Sequence, residues 1–195
     1  MLLRASFFQK NLKKIKTMKR IFTIILLGAI TAFNAQVIIG DALGTATTKT
    51  SVLLEFAKGN KGLIVPYVRT LPAPLPITAG TILLDASTAT AARMKFSNGT
   101  SWIDLSGQDG NVTSALTIQP SSVVETGAKS IIGARSSGAD GVLVLESTTK
   151  AMVLPTVADV QNIPSPSPGM MVYINKTGAK RLAVFNGTTW AYWKP

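Results

Sequence analysis

Hydrophobic positions in this chain come in short runs broken by Gly, Asn, Asp, Ser and Pro; Thr81-Ile82-Leu83-Leu84 and Leu182-Ala183-Val184-Phe185 are typical. Short runs of aliphatic and aromatic residues bounded by turn formers predict strands. Asn98-Gly99 and Asn186-Gly187 each fall between two such runs. Both residue types tolerate positive φ, so the dipeptide predicts a two-residue hairpin turn. Met94-Lys95-Phe96 with Ser101-Trp102-Ile103 is expected as one hairpin, and Leu182–Phe185 with Thr189–Tyr192 as another. Leu71–Pro76 and Ile163–Pro168 alternate with proline. Proline donates no ladder bond, so these segments are expected as extended, polyproline-like connectors. Thr156–Asn162 fits a short helix with Thr156 as N-cap. The fold class expected is mainly β: two related β-rich repeats with hairpins, proline-rich connectors and at most one or two short helices.

The repeats emerge when the chain is laid on itself. Ile38-Ile39-Gly40 matches Ile131-Ile132-Gly133, and Leu54-Glu55 matches Leu145-Glu146. Lys61-Gly62-Leu63-Ile64-Val65-Pro66 matches Lys150-Ala151-Met152-Val153-Leu154-Pro155. Gly80 and Gly169 each follow their proline by fourteen residues and open an apolar run. Each half then reaches Asn-Gly-Thr-x-Trp, at Asn98–Trp102 and Asn186–Trp190. The boundaries expected are a leader at 1–35, a first β-rich repeat at 36–105, a Ser/Gly/Thr-rich connector at 106–129 and a second repeat at 130–195. Within the connector, Ala115–Ile118 and Ser122–Glu125 look strand-like.

Charge changes the picture through its location. The formal charge is +11, which by itself suggests a nucleic acid or an anionic membrane. Residues 1–35 hold seven basic side chains and no acid, whereas residues 36–195 hold 13 basic and 9 acidic ones. The excess therefore belongs largely to the leader, and no nucleic-acid partner is expected. The leader has the parts of a signal peptide: a basic start at Lys19-Arg20, a hydrophobic stretch from Ile21 to Phe33, and a cut between Ala35 and Gln36. The stretch is shorter than the ~20 residues a membrane span requires, so no permanent span is expected. Met18 is the expected true start. A mitochondrial presequence is the competing reading of so basic a segment. The chain lacks cysteine, which removes lipid attachment at the leader end and any disulfide framework. Export is expected to the medium or the outer cell surface, with the periplasm as an alternative.

The ordered landmarks Ile-Ile-Gly, Leu-Glu, Lys-Gly-apolar-Pro, Gly-apolar-Val-Tyr and Asn-Gly-Thr-x-Trp resemble a repeat in exported proteins of Bacteroidetes-type bacteria. Members of that group are similar to tail-fibre or adhesin-like surface proteins. The resemblance covers most of residues 37–105 and 130–195, and the second half matches better. It implies no defined biochemical activity.

Candidate chemistry is sparse. The chain has neither His nor Cys, which removes His-based triads and thiol catalysis. No cofactor and no metal site is expected; Asp109-Gly110-Asn111 starts like a calcium loop, but no ligand series follows it. Glu55 and Glu146 are the best-matched carboxylate pair, read first as solvated or ion-paired and second as a hydrolase pair. Trp102 and Trp190 stand at matched places beside hairpin turns, where an indole either covers a small core or stacks on a sugar. Three functions follow in order. The first is a non-catalytic structural or adhesin/fibre-like surface protein that self-associates, as a trimer. The second is a monomeric module binding surface glycans through Trp102 and Trp190, and the third a carboxylate-dependent hydrolase.

Overall fold

The computed structural model describes residues 14–16, 18–20, 36–40, 44, 46–47, 49–56, 59–73, 77–120 and 129–193. Residues 14–16 and 18–20 are helical and exposed. The hydrophobic stretch of the leader, Ala35, Pro74–Pro76 and Ser122–Glu125 lie outside the described residues. Residues 36–195 form one compact unit, and it is mainly β. No helix among the described residues is long and apolar enough to cross a membrane.

Two sheets that share the same path of four strands dominate the unit, and the second takes in a fifth strand beside that path. The first contains β4 (Tyr67–Val68), β5 (Ile82–Asp85), β6 (Arg93–Ser97) and β7 (Trp102–Asp104). The second contains β11 (Thr156–Val157), β12 (Met170–Ile174), β13 (Arg181–Phe185) and β14 (Trp190–Trp193). In each, a two-residue strand runs parallel to the next, and two antiparallel pairings follow. Matched backbone groups make matched bonds. Leu84 N–H donates to Pro66 C=O and Tyr173 N–H to Pro155 C=O, both at 2.9 Å. Gly80 N–H donates to Ser97 C=O and Gly169 N–H to Phe185 C=O, both at 2.8 Å. Gly80 and Gly169 have φ of 86° and 75°, a conformation that favours glycine and fixes where each long strand starts.

Alternation along the strands explains the layers. On β5 and β6, Leu84 and Met94 point inward, while Asp85, Arg93 and Lys95 take the other face. Leu84 and Met94 join Val65, Val112, Met171 and Val184 in one core, so the two sheets share it. On β12, Met171 enters that core, and Met170, Val172 and Ile174 enter a second core with Val157, Val160 and Ile163. The run Met-Met-Val-Tyr-Ile needs no polar alternation over Met170–Val172, because both its faces are covered there, and only Tyr173 is exposed. Each fully buried side chain of this size contributes about 1.5–3 kcal/mol.

The remaining strands have two to five residues, and most of them pair in parallel. β1 (Val37–Ile39), β2 (Val52–Phe56) and β10 (Ala151–Val153) form a three-stranded sheet with β2 in the middle. β3 (Leu63–Ile64) joins β12 antiparallel. The two halves thus exchange strands: β10 serves the first half, and β3 the second. β8 (Ser130–Ile132) and β9 (Leu143–Leu145) form a separate two-stranded sheet.

Several local expectations change. The hairpin loops have four residues, not two, since Ser97 pairs with Trp102 and Phe185 with Trp190. Asn98 Oδ1 accepts the N–H groups of Thr100 and Ser101 at 2.9 and 2.8 Å, which closes a longer loop with only Gly99 at positive φ. Ala115–Ile118 is helical, within Thr113–Ile118. Arg69 Nη2 donates to Leu116 C=O at 2.6 Å, and Gln119 Nε2 to Tyr67 C=O at 2.8 Å, so tertiary contacts override local propensity. Thr156 is not a helix cap. It opens β11, and Asp159 caps a single 3-10 turn at Val160–Asn162. Ser165 adopts φ 52°, so Ile163–Pro168 is not a continuous polyproline helix.

The outer face of the first sheet carries ion pairs, Lys95–Asp85 at 2.7 Å and Arg93–Asp104 at 2.5 Å. Burial pushes the Asp85 carboxyl up, but hydrogen bonds from Lys95 and Ser87 outweigh it and hold the group below its ordinary 3.8. Asp104 is likewise pushed up by burial and held lower by Arg93 and Ser106. A depressed carboxylate stabilises the fold above its unfolded pKa, and that contribution disappears as pH falls through the folded value. Thermal midpoints are therefore expected to hold at neutral pH and to drop below about pH 4. The Asp85→Asn, Asp104→Asn double variant should be less stable at neutral pH and fall less steeply in acid; equal slopes would count against these pairs.

Asn186 generates a second prediction. It is fully buried, and its Nδ2 donates to Gln108 C=O at 2.8 Å while Oδ1 accepts from Thr188 and Thr189 N–H. Its counterpart Asn98 is exposed, so water can replace the lost bonds there. Asn186→Ala should cost about 2–3 kcal/mol in denaturant unfolding, and Asn98→Ala under about 1 kcal/mol.

Candidate self-association surface

The two tryptophans singled out by the sequence sit in different sheets. Trp102 is half-buried at the start of β7, and its Nε1 donates to Pro72 C=O at 3.4 Å, so it props the proline connector. Trp190 is half-buried at the start of β14, with its ring 5.2 Å from that of Phe185 at a tilt of 42°. It packs on the second core. Tyr192, two residues along and so on the same side of the strand, is exposed, with the Arg181 guanidinium 4.2 Å above its ring. Trp193 anchors to the first half through Nε1–H to Leu105 C=O at 2.9 Å.

The matched glutamates have matched structural work. Glu55 is fully buried at the end of β2. Its carboxylate accepts from Gln36 Nε2 at 3.0 Å, from Lys49 Nζ at 2.5 Å and from Ala46 N–H. A Cβ at Gly44 would lie 2.5 Å from that carboxyl, so a residue without one passes there. Glu55 thereby ties down the loop between β1 and β2. Glu146, half-buried just past β9, accepts from Ser137 Oγ, which itself accepts from Ala139 N–H at 3.0 Å. It ties down the loop between β8 and β9. The two glutamates belong to different sheets, and each faces its own loop. Gln36, on the far side of the expected cut from Ala35, is thus part of the fold through Glu55. Asp109, from the calcium-loop candidate, pairs with Arg93 at 2.8 Å. Among the described residues, no three acidic side chains cluster as a metal site would require.

What the sequence reading did not single out is the β8–β9 sheet. Five of its six residues are apolar, namely Ile131, Ile132, Leu143, Val144 and Leu145, and none is buried. Leu143 is 43% exposed, and Val142, just before it, 48%. The charged residues that flank the sheet turn back on their own loop. Lys129 Nζ donates to Ala139 C=O at 2.8 Å, and Glu146 is held by Ser137. The strands themselves carry no charged side chain, while Arg135 and Asp140 are exposed in the loop that joins them. Two short strands are at best marginally stable by themselves, so such a sheet calls for a partner. The signal was present in Val142-Leu143-Val144-Leu145, a run without polar alternation, which reads as a strand covered on both faces.

No curated protein and no solved structure matches the chain. Residues 131–194 match the family described as phage tail like trimerisation region, and that segment holds nearly all of the β8–β9 sheet and strands β11 to β14 of the second large sheet.

Proposed function

We propose that this chain is an exported, non-catalytic structural protein that assembles as a homotrimer, as a fibre- or adhesin-like part at a bacterial surface. One coincidence carries the reading. The segment that matches a trimerisation family is also the one that holds an apolar sheet with no fully buried residue, only half-covered by its own chain. Three further observations support it. Glu55 and Glu146 are engaged in holding loops, the matched sheets agree with a duplicated module, and the leader has signal-peptide character. The resemblance to exported repeat proteins of Bacteroidetes-type bacteria belongs to the same reading.

A second reading is favoured by one observation. Trp190 and Tyr192 share a side of the edge strand β14, and Tyr192 is 44% exposed, which suits stacking on a surface glycan.

Light scattering on a sizing column, with intact-mass measurement of the same material recovered outside the producing cell, tests the proposal. The expected result is a trimer of chains beginning at Gln36. A clean monomer would overturn the trimer and move the glycan reading first, with Trp102→Ala and Trp190→Ala expected to abolish binding without unfolding. Chains that retain the leader would overturn export.

A further inference from the structure

Strands β2 and β9 occupy matched positions in the sequence, since Leu54-Glu55 corresponds to Leu145-Glu146 and Val52-Leu53 to Leu143-Val144. Their surroundings differ sharply. β2 has a parallel neighbour on each edge, β1 and β10, and Val52, Leu53, Leu54 and Glu55 are 3%, 3%, 0% and 0% exposed. Among the described residues β9 pairs only with β8, and none of its matched residues is buried.

The edge of β9 that faces away from β8 can be assigned. Ser130 N–H donates to Val142 C=O, and Glu146 N–H donates to Ile132 C=O, both at 2.9 Å. In a parallel pair, alternate residues turn both backbone groups toward the same neighbour. Residues 142, 144 and 146 therefore face β8, and Leu143 and Leu145 direct their N–H and C=O groups the other way. An apolar strand with an open edge invites another strand.

We infer that the open edge of β9 takes a short apolar strand from a second copy of this chain in parallel register, burying Leu143 and Leu145 as Val52 and Leu54 are buried. The chain itself shows what such an occupant looks like. β10 docks in this manner on the matched strand β2, with Met152 opposite Leu54. Its residues are Ala-Met-Val, none buried and none charged, so a short uncharged apolar strand is enough to fill such an edge. A contact between two different surfaces of identical chains is heterologous, and such a contact closes into a ring at three copies when its rotation is 120°. The inference rests on the self-association reading and adds the surface through which it occurs.

The chain has no cysteine, so a single substitution introduces a unique thiol. In the assembled protein, Leu143→Cys should react with a maleimide about tenfold slower than Ile118→Cys, whose site is 85% exposed in the single chain. Dilution to monomers should remove most of that difference, since Leu143 is 43% exposed in the single chain. Leu143→Pro is a second variant. An edge strand tolerates proline where its N–H faces outward, so this chain should keep its far-UV circular dichroism and lose assembly. A trimer in which the Leu143→Cys thiol reacts as fast as the Ile118→Cys thiol, or a Leu143→Pro chain that remains trimeric, overturns the assigned edge and leaves self-association standing. A monomeric unsubstituted chain overturns both.

Discussion

Everything in this fold depends on strands too short to stand by themselves. β3, β4 and β11 have two residues each, and β1, β7, β8, β9 and β10 have three. Such a strand makes few ladder bonds and covers little apolar surface, so its stability comes from neighbours. The chain meets this constraint by exchange between its halves. β10 from the second half seals β2, and β3 from the first half extends the sheet beside β12. Two buried side chains secure the arrangement from within: Glu55 holds the β1–β2 loop, and Asn186 ties the second hairpin to Gln108, just past the first four-stranded path. The β8–β9 sheet is the place where exchange within the chain stops.

Much of the local structure was legible because turn chemistry is local. Gly80 and Gly169 mark strand starts, and Asn98 and Asn186 mark hairpin loops, since each position demands a particular backbone shape or a short acceptor. The loops proved longer than the dipeptide suggested, because the asparagine side chain replaces the tight turn with its own hydrogen bonds. The helix at Thr113–Ile118 was hidden. It has no side-chain cap and no helpful charge in either end turn, and it is held from outside by Arg69.

The candidate site was less legible, for a non-local reason. Val52-Leu53-Leu54 and Leu143-Val144-Leu145 read alike as strands, and nothing in either run states how many neighbours it has. The tryptophans drew attention by recurring, yet Trp102 serves a connector and Trp190 a core. Glu55 and Glu146 recurred as well, and their shared task of gripping a loop became visible only with the hydrogen bonds.

Magnitudes constrain how the copies meet. Association costs roughly 4–15 kcal/mol in lost freedom and ordering. Two leucines, at about 1.5–3 kcal/mol each, would not meet the upper part of that range. The proposed contact must therefore extend past β9 onto other exposed apolar residues, with β9 setting direction and register. Amide hydrogen exchange on the assembled protein tests this most directly. The account predicts that the N–H groups of Leu143 and Leu145 are protected to a degree comparable with Leu53 and Leu54. Rapid exchange at Leu143 and Leu145 in an intact trimer would contradict it, and would place the contact between copies elsewhere on the chain.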